Sequence, residues 1–395
     1  MKISIIVNGT RGDVQPMLAL ANGLIEKSHE IIFCAPPENK AFIERYNCRF
    51  IAFGPNYREL FKQNGKIKGG ATAAPTPKEI KKQTEDQINL LPELIKGSDL
   101  VLGVGFILGV HTAADILKIP YRFVVFYPAL LGTSKTDPFF YKMLFGLGRL
   151  VTNITMKGFI NKKRAAFGLN PIYDVWQHWM GDMVIAACDR ELNAVPEGVS
   201  FNFIQTGFML LPPQKGLPEY VEKFLNEGEP PIYIGFGSNP VAKPEKFNQV
   251  FKNVSEATNQ RLIVSRGWAD LQENNLPGIL YIDDMPFDLL FPHLTAIVFH
   301  GGTGTMSLAA RAGIPQIAFP FIADQFENSK KIVELGLGPK AFDFKKISAD
   351  NLIFSINECV SNKGFRENAL EISKKLQNSN GLKLTIELIE NILKK

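Results

Sequence analysis

Cysteine is scarce in this 395-residue chain: Cys34, Cys48, Cys188 and Cys359 stand far apart with no CxxC spacing. That distribution argues against a disulfide-stapled scaffold and against a metal site, and it suits reduced thiols in a cytoplasmic protein. Long apolar runs are missing too. No stretch approaches the roughly 18 uninterrupted apolar residues of a membrane-spanning helix, which leaves only peripheral contact through Phe-rich segments open. The opening "MKISIIVNG" is too short an apolar run for a secretory signal and reads as a first strand. The charges nearly balance: 44 basic and 39 acidic residues are spread along the chain, for a net +5. With no basic block or arm, a nucleic-acid binder is not indicated. Neither GxGxxG nor GxxxxGK[ST] occurs, so a nicotinamide dehydrogenase and a P-loop hydrolase lose their main support.

What is present is an alternating grammar. The length predicts two domains of roughly 150 to 200 residues. "KISIIV" (2–7) is strand-like, "MLALANGLIEKS" (17–28) has helical spacing, and "HEIIFCA" (29–35) returns to strand. Such alternation predicts βα units building a parallel sheet covered by helices. Residues 56–90 are polar and rich in turn formers, and predict a long excursion over the carboxyl ends of the sheet. Strand-like runs resume at 100–105, 121–129, 183–189 and 201–210. The aromatics of "DPFFYKMLFGL" (137–147) divide between core and the rim of an apolar pocket. Pro and Gly then cluster in 211–231, the best domain boundary. The second half restarts the pattern at "PIYIGFGSN" (231–239), and "LKLTIELIENILKK" (382–395) closes it with a helix. The expected division is 1–210, a linker at 211–217, a second Rossmann-like domain over 218–378 and a terminal segment over 379–395.

The chemistry concentrates in "FHGGTGTMSLAARAGIPQIAFPFIADQFENSKK" (299–331). Gly301, Gly302 and Gly304 follow a strand and open a helix, where backbone amides can hold a phosphate; the same pattern also serves as a tight turn. His300, Thr303 and Thr305 could add side-chain donors. Asp324 and Gln325 open the next helix with a carboxylate and an amide, a pairing suited to sugar hydroxyls, although capping alone would account for Asp324. In "NGTRGDVQP" (8–16), Asp13 stands in a loop after the first strand. It could deprotonate a hydroxyl nucleophile or cap a helix entered at Pro16. His111 falls inside a helix and reads as structural.

Taken together, "GTRGDVQP", "IGFGSN", "SRGWADL", "HGGTGT" and "RAGIPQIAFPFIADQ" resemble, in order and across essentially the whole chain, the nucleotide-sugar-dependent glycosyltransferases of the two-Rossmann-domain (GT-B) type. The likeness is greatest to the glycopeptide-antibiotic and sterol branches. It implies two α/β domains facing across a cleft, an N-terminal acceptor domain, a C-terminal donor domain and a last helix crossing back to the first domain. It further implies His300 on the diphosphate, with Gly302, Thr303, Gly304 and Thr305 forming the phosphate loop. Asp324 and Gln325 would read the sugar, and Ser238 would lie near the phosphates. Arg266 and Trp268 would pack around the nucleotide, and the Met285 amide would meet the base. Thr10, Arg11 and Gly12 would close over the donor from the other domain.

The resemblance also implies inverting transfer by direct displacement, with no metal and no cofactor beyond the nucleoside diphosphate sugar as co-substrate. UDP-glucose is the first choice, and a UDP- or dTDP-deoxysugar is the second. The partners expected are that donor and a small hydrophobic or aromatic acceptor, with no nucleic acid. Asp13 stands where many relatives have a histidine base. An aspartate is ordinarily ionised at neutral pH, so it accepts a proton from an alcohol only as attack proceeds. Phe299, where many relatives have a second histidine, is expected in the core. The competing readings are a nucleotide-sugar 2-epimerase of the same architecture and a non-catalytic sugar-nucleotide sensor.

Overall fold

The computed structural model describes residues 1–63, 76–135, 137–212, 216–239, 241, 244–269, 271, 276–322 and 324–394. The chain forms two compact units, one of Met1–Tyr57, Ala74–Leu211 and Asn380–Lys395, the other of Arg58–Ala73 and Pro212–Ser379. Among the described residues no helix is both long and apolar enough to cross a membrane.

In the first unit, strands β1 (Lys2–Asn8), β2 (Glu30–Ala35), β3 (Arg49–Ala52), β4 (Leu100–Gly105), β5 (Tyr121–Val125), β6 (Val184–Ala186) and β7 (Phe203–Gln205) form one sheet in the order β3-β2-β1-β4-β5-β6-β7. Every pairing is parallel, with Ile3 opposite Leu100 and Asn8 opposite Gly105 at the centre. Both faces are covered: Ile3, Ile5 and Val7 enter one core, while Ile6 enters another with Ile107 and Phe123. That double burial is why the strands read as unbroken apolar runs.

The second unit repeats the plan with β8 (Ile232–Gly235), β9 (Leu262–Ser265), β10 (Ile279–Ile282), β11 (Ala296–Phe299) and β12 (Gln316–Ala318), all parallel in the order β10-β9-β8-β11-β12. In each sheet the order reverses beside the first strand, between β1 and β4 and between β8 and β11. Crevices at the carboxyl ends of such reversals are where open α/β sheets bind ligands.

Three helices differ from expectation. The first runs Arg11–Glu26, so Arg11 and Asp13 lie in its first turn and not in a loop, and Pro16 sits inside it. A proline so near the start removes only the bond that would reach the Gly12 carbonyl. In the 56–90 excursion, residues 64–75 lie outside the described residues, but Pro77–Ile95 is a 19-residue helix. Thr76 and Glu79 cap it reciprocally, and Ile88, Leu91 and Ile95 bury one stripe. The aromatic run 137–147 leads into a 28-residue helix, Phe139–Ala166. Of its first aromatics Phe145 meets a core ring, edge-on to Trp176 at 5.4 Å, whereas Phe139 and Phe140 stand in solvent.

The terminal helix Gly381–Leu393 belongs to the first unit. Ile386 and Ile389 join the core of the Arg11–Glu26 helix, and the Thr385 hydroxyl donates to Thr206 Oγ1 at 2.8 Å. Approach is close enough that a Cβ on Gly381 would lie 2.3 Å from the Gly207 carbonyl.

Candidate active site

The carboxyl ends of β8 and β11 lie side by side, and two loops rise from them. His300 follows β11 and is packed against glycines of both. A Cβ on Gly302 would stand 2.4 Å from its Nε2, and one on Gly237 2.8 Å from its Cε1. Burial holds the imidazole neutral, pulling it down to about 4 although the Gly235 carbonyl acts the other way. Its Nδ1 is buried without a hydrogen-bond partner. A neutral histidine here can donate one hydrogen bond without carrying charge.

Beyond it, Gly301 takes φ +86°, and the helix Thr303–Ala312 begins. No side chain of the described residues caps that helix; its first bond is from the Met306 amide to the Gly302 carbonyl at 3.0 Å. The amides of Thr303, Gly304 and Thr305 therefore remain as open donors at the positive end of the helix. Asn328, fully buried, donates from Nδ2 to the Gly301 carbonyl at 2.8 Å and to Thr303 Oγ1 at 3.0 Å. It fixes the turn and directs the Thr303 proton elsewhere.

The neighbouring loops complete one rim. The Trp268 amide donates to the Gly237 carbonyl at 3.1 Å, and Gly267 (φ +48°) packs too closely on the same carbonyl for a Cβ, which would lie at 2.7 Å. Ser238 is half-buried beside them. Arg266 pairs with Asp283 at 3.2 Å. Met285 follows β10, and its amide bonds to none of the described residues. Asp324 opens the helix Asp324–Glu334. Desolvation raises its carboxyl to about 6, against the pull of the Asp324 and Gln325 amides. Gln325 spends its Oε1 on the amides of Phe321 (2.8 Å) and Ile322 (3.3 Å), so its amide nitrogen is the group left to face a ligand. Phe299 is fully buried in the core.

Asp13 belongs to the first unit, at the carboxyl end of β1. Its Oδ2 accepts the Thr10 amide at 3.0 Å and lies so close over Gly9 that a Cβ there would meet it at 2.0 Å. Arg11 folds back, its guanidinium carbon 3.3 Å from the Phe42 ring centroid, while Gly12 is exposed. Beneath the turn, Asn8 donates to the Phe106 carbonyl (2.6 Å) and to Gln83 Oε1 (3.2 Å), and accepts from the Tyr57 hydroxyl (2.9 Å). Burial, reinforced by Asp13 and Glu38, raises the Tyr57 phenol and keeps it neutral.

Sequence reasoning missed Asn8 and Asn328. Both are buried amides next to recognised motifs, and position alone marks neither. His111, Asp115 and His178 have ligand-type atoms within 4.8 Å of one another, yet the set is fully engaged. His111 Nδ1 meets the His178 carbonyl at 2.5 Å, His178 Nε2 meets Thr112 Oγ1 at 2.9 Å, and Arg164 is paired with Asp115. A guanidinium where a cation would sit makes this a structural knot.

Comparison with known proteins follows the same outline. Residues 3–96 match the glycosyltransferase family 28 N-terminal domain, and residues 259–380 match the erythromycin biosynthesis protein CIII-like C-terminal domain. Glycosyltransferase GtfE of Amycolatopsis orientalis is 30% identical over 359 residues, covering 86% of this chain and 85% of its own. Sterol 3-beta-glucosyltransferase UGT80B1 of Arabidopsis thaliana is 27% identical over 421 residues, covering 98% and 67%. Among solved structures, the calicheamicin glycosyltransferase CalG4 matches with a TM-score of 0.72 at 16% identity, covering 100% of this chain and 98% of its own. Glycosyltransferase VinC, in complex with DTDP, matches at 0.69 and 17% identity, covering 100% of each chain. At such identities the two structures speak for the fold alone.

Proposed function

The chain belongs to the glycosyltransferase family and has its GT-B fold, and from that premise we propose that it moves a hexosyl group from a nucleoside diphosphate sugar to a hydroxyl of a small hydrophobic or aromatic natural product, with inversion. UDP-glucose is the first donor assigned and a dTDP-deoxysugar the second. A glucosyltransferase among the relatives and a DTDP complex among the structural neighbours support that order of trial. The four cysteines are unpaired and buried, which suits a reducing compartment such as the cytoplasm.

The observation that carries the reading is the uncapped start of the Thr303–Ala312 helix beside neutral His300. The three amides form a donor set with no acceptor of its own, the complement of a diphosphate, and the uncharged imidazole stands next to it. In the reaction, the acceptor oxygen attacks the anomeric carbon as its proton passes to the Asp13 carboxylate. The bond from that carbon to the phosphate oxygen breaks, and its electron pair leaves with the diphosphate. The Thr303, Gly304 and Thr305 amides meet the charge that develops there. Asp324 accepts from sugar hydroxyls, and the Gln325 amide donates to them. The Thr10–Asp13 bond holds the base in one orientation, which is how a weak base becomes effective.

Titrating UDP and dTDP into the protein tests the donor site. At least one should bind, and His300→Ala should weaken it by about tenfold, the loss expected for one hydrogen bond to a charged group. Unchanged affinity in that variant would remove His300 from the site.

A further inference from the structure

The helix Phe139–Ala166 exposes apolar side chains on a scale that packing does not explain. Of 21 large apolar residues exposed among the described residues, eight fall between Phe139 and Ile154, including Phe139 (81% exposed), Phe140 (64%) and Ile154 (72%). Their spacing places all eight on one face of the helix, a stripe roughly 24 Å long at 1.5 Å per residue. The opposite side is where the helix is held: Met156 and Ile160 are buried, and Arg149, Lys163 and Arg164 are paired with Asp174, Glu85 and Asp115.

Charge on this segment has one sign. No Asp or Glu occurs from Pro138 to Tyr173. The exposed face continues past Ile154 into Lys157 and Lys162, both exposed and without an ion pair to any described residue. The next segment, tied to the helix by the Asn161–Ile172 pair of hydrogen bonds at 3.0 and 2.8 Å, presents Tyr173 at 87% exposure. A long helix with an apolar face, cations and no anions is the pattern of a helix lying in the plane of a membrane surface. Paired with itself about a two-fold axis, this face would meet the same cations and no carboxylate of the segment.

We propose that the exposed face of Phe139–Ala166 docks on an anionic lipid bilayer, the apolar stripe entering the headgroup boundary while Lys157 and Lys162 pair with lipid phosphates. The proposal does not depend on the reaction assigned above.

Co-sedimentation of the full chain with vesicles, without any sugar donor, tests it. Vesicles of phosphatidylcholine containing about 30 mol% phosphatidylglycerol should bind the protein, and pure phosphatidylcholine should bind it markedly less. Phe140→Ser/Ile154→Ser should weaken binding by about tenfold or more, and Lys157→Glu/Lys162→Glu should abolish the preference for phosphatidylglycerol. Thermal unfolding midpoints should not change, because all four side chains point into solvent. Failure of the folded wild type to bind anionic vesicles would overturn the proposal. So would undiminished binding by the serine variant, or a wild-type dimer that this variant converts to a monomer while vesicle binding persists.

Discussion

Gly9→Ala displaces the proposed base without removing it. An alanine Cβ would lie 2.0 Å from Asp13 Oδ2 and 2.6 Å from its Cγ, so the oxygen must retreat by about 1.4 Å to reach the 3.4 Å of ordinary contact. The side chain can retreat only by giving up the Thr10 amide, its 3.0 Å partner. Losing that capping interaction costs about 1 kcal/mol, and alanine returns part of this by restricting the unfolded chain. Stability should therefore change little. Turnover should not be spared, because a misplacement of about 1 Å at a reacting group costs on the order of 100-fold. The assay is steady-state transfer alongside donor titration: kcat falls about 100-fold while donor affinity holds. Wild-type turnover in a folded Gly9→Ala protein would refute the role given to Asp13.

Asp13→Asn should likewise leave donor affinity nearly intact and slow transfer; parallel loss of both, read by the same two measurements, would make the residue structural. Asp324 offers a pH test. Its folded value of about 6 lies above the ordinary 3.8, so the buried carboxylate subtracts stability above pH 6, and the penalty vanishes below about 4. Asp324→Asn should therefore raise the melting temperature at pH 7.5 and not at pH 4. Below pH 6 the wild type should lose affinity for nucleotide sugar faster than for the bare nucleoside diphosphate, as calorimetric titration would show. Gly381→Ala drives a Cβ to 2.3 Å from the Gly207 backbone, an overpacking worth about 1–3 kcal/mol. A drop of several degrees in the melting temperature should follow.

The strands were legible because both faces of each parallel sheet are buried, which leaves continuous runs such as "LVLGVG" at β4. The glycine turns were legible for a related reason: only glycine clears the ring of His300 from both loops. Helix starts were less visible. Pro16 looked like an entry point, although the helix begins at Arg11, and polar residues hid the Pro77–Ile95 helix, whose buried stripe is narrow. The Phe139–Ala166 helix was obscured by the opposite fault. With apolar residues on its exposed face as well, the contrast that reveals a 3.6-residue period is lost. At the site, sequence reasoning named the loops but could not see how their groups are already spent. Gln325 commits its oxygen to Phe321 and Ile322, and Arg11 rests on Phe42.

The most direct test of the central claim is product mass. The purified protein is incubated with UDP- and dTDP-sugars and a panel of phenolic, sterol and glycopeptide acceptors, and each reaction is read by mass spectrometry together with the nucleoside diphosphate released. The account predicts a hexose-sized gain on at least one acceptor, matched mole for mole by released diphosphate and reduced in Asp13→Asn. Binding of a sugar nucleotide with neither acceptor gain nor diphosphate release would contradict it.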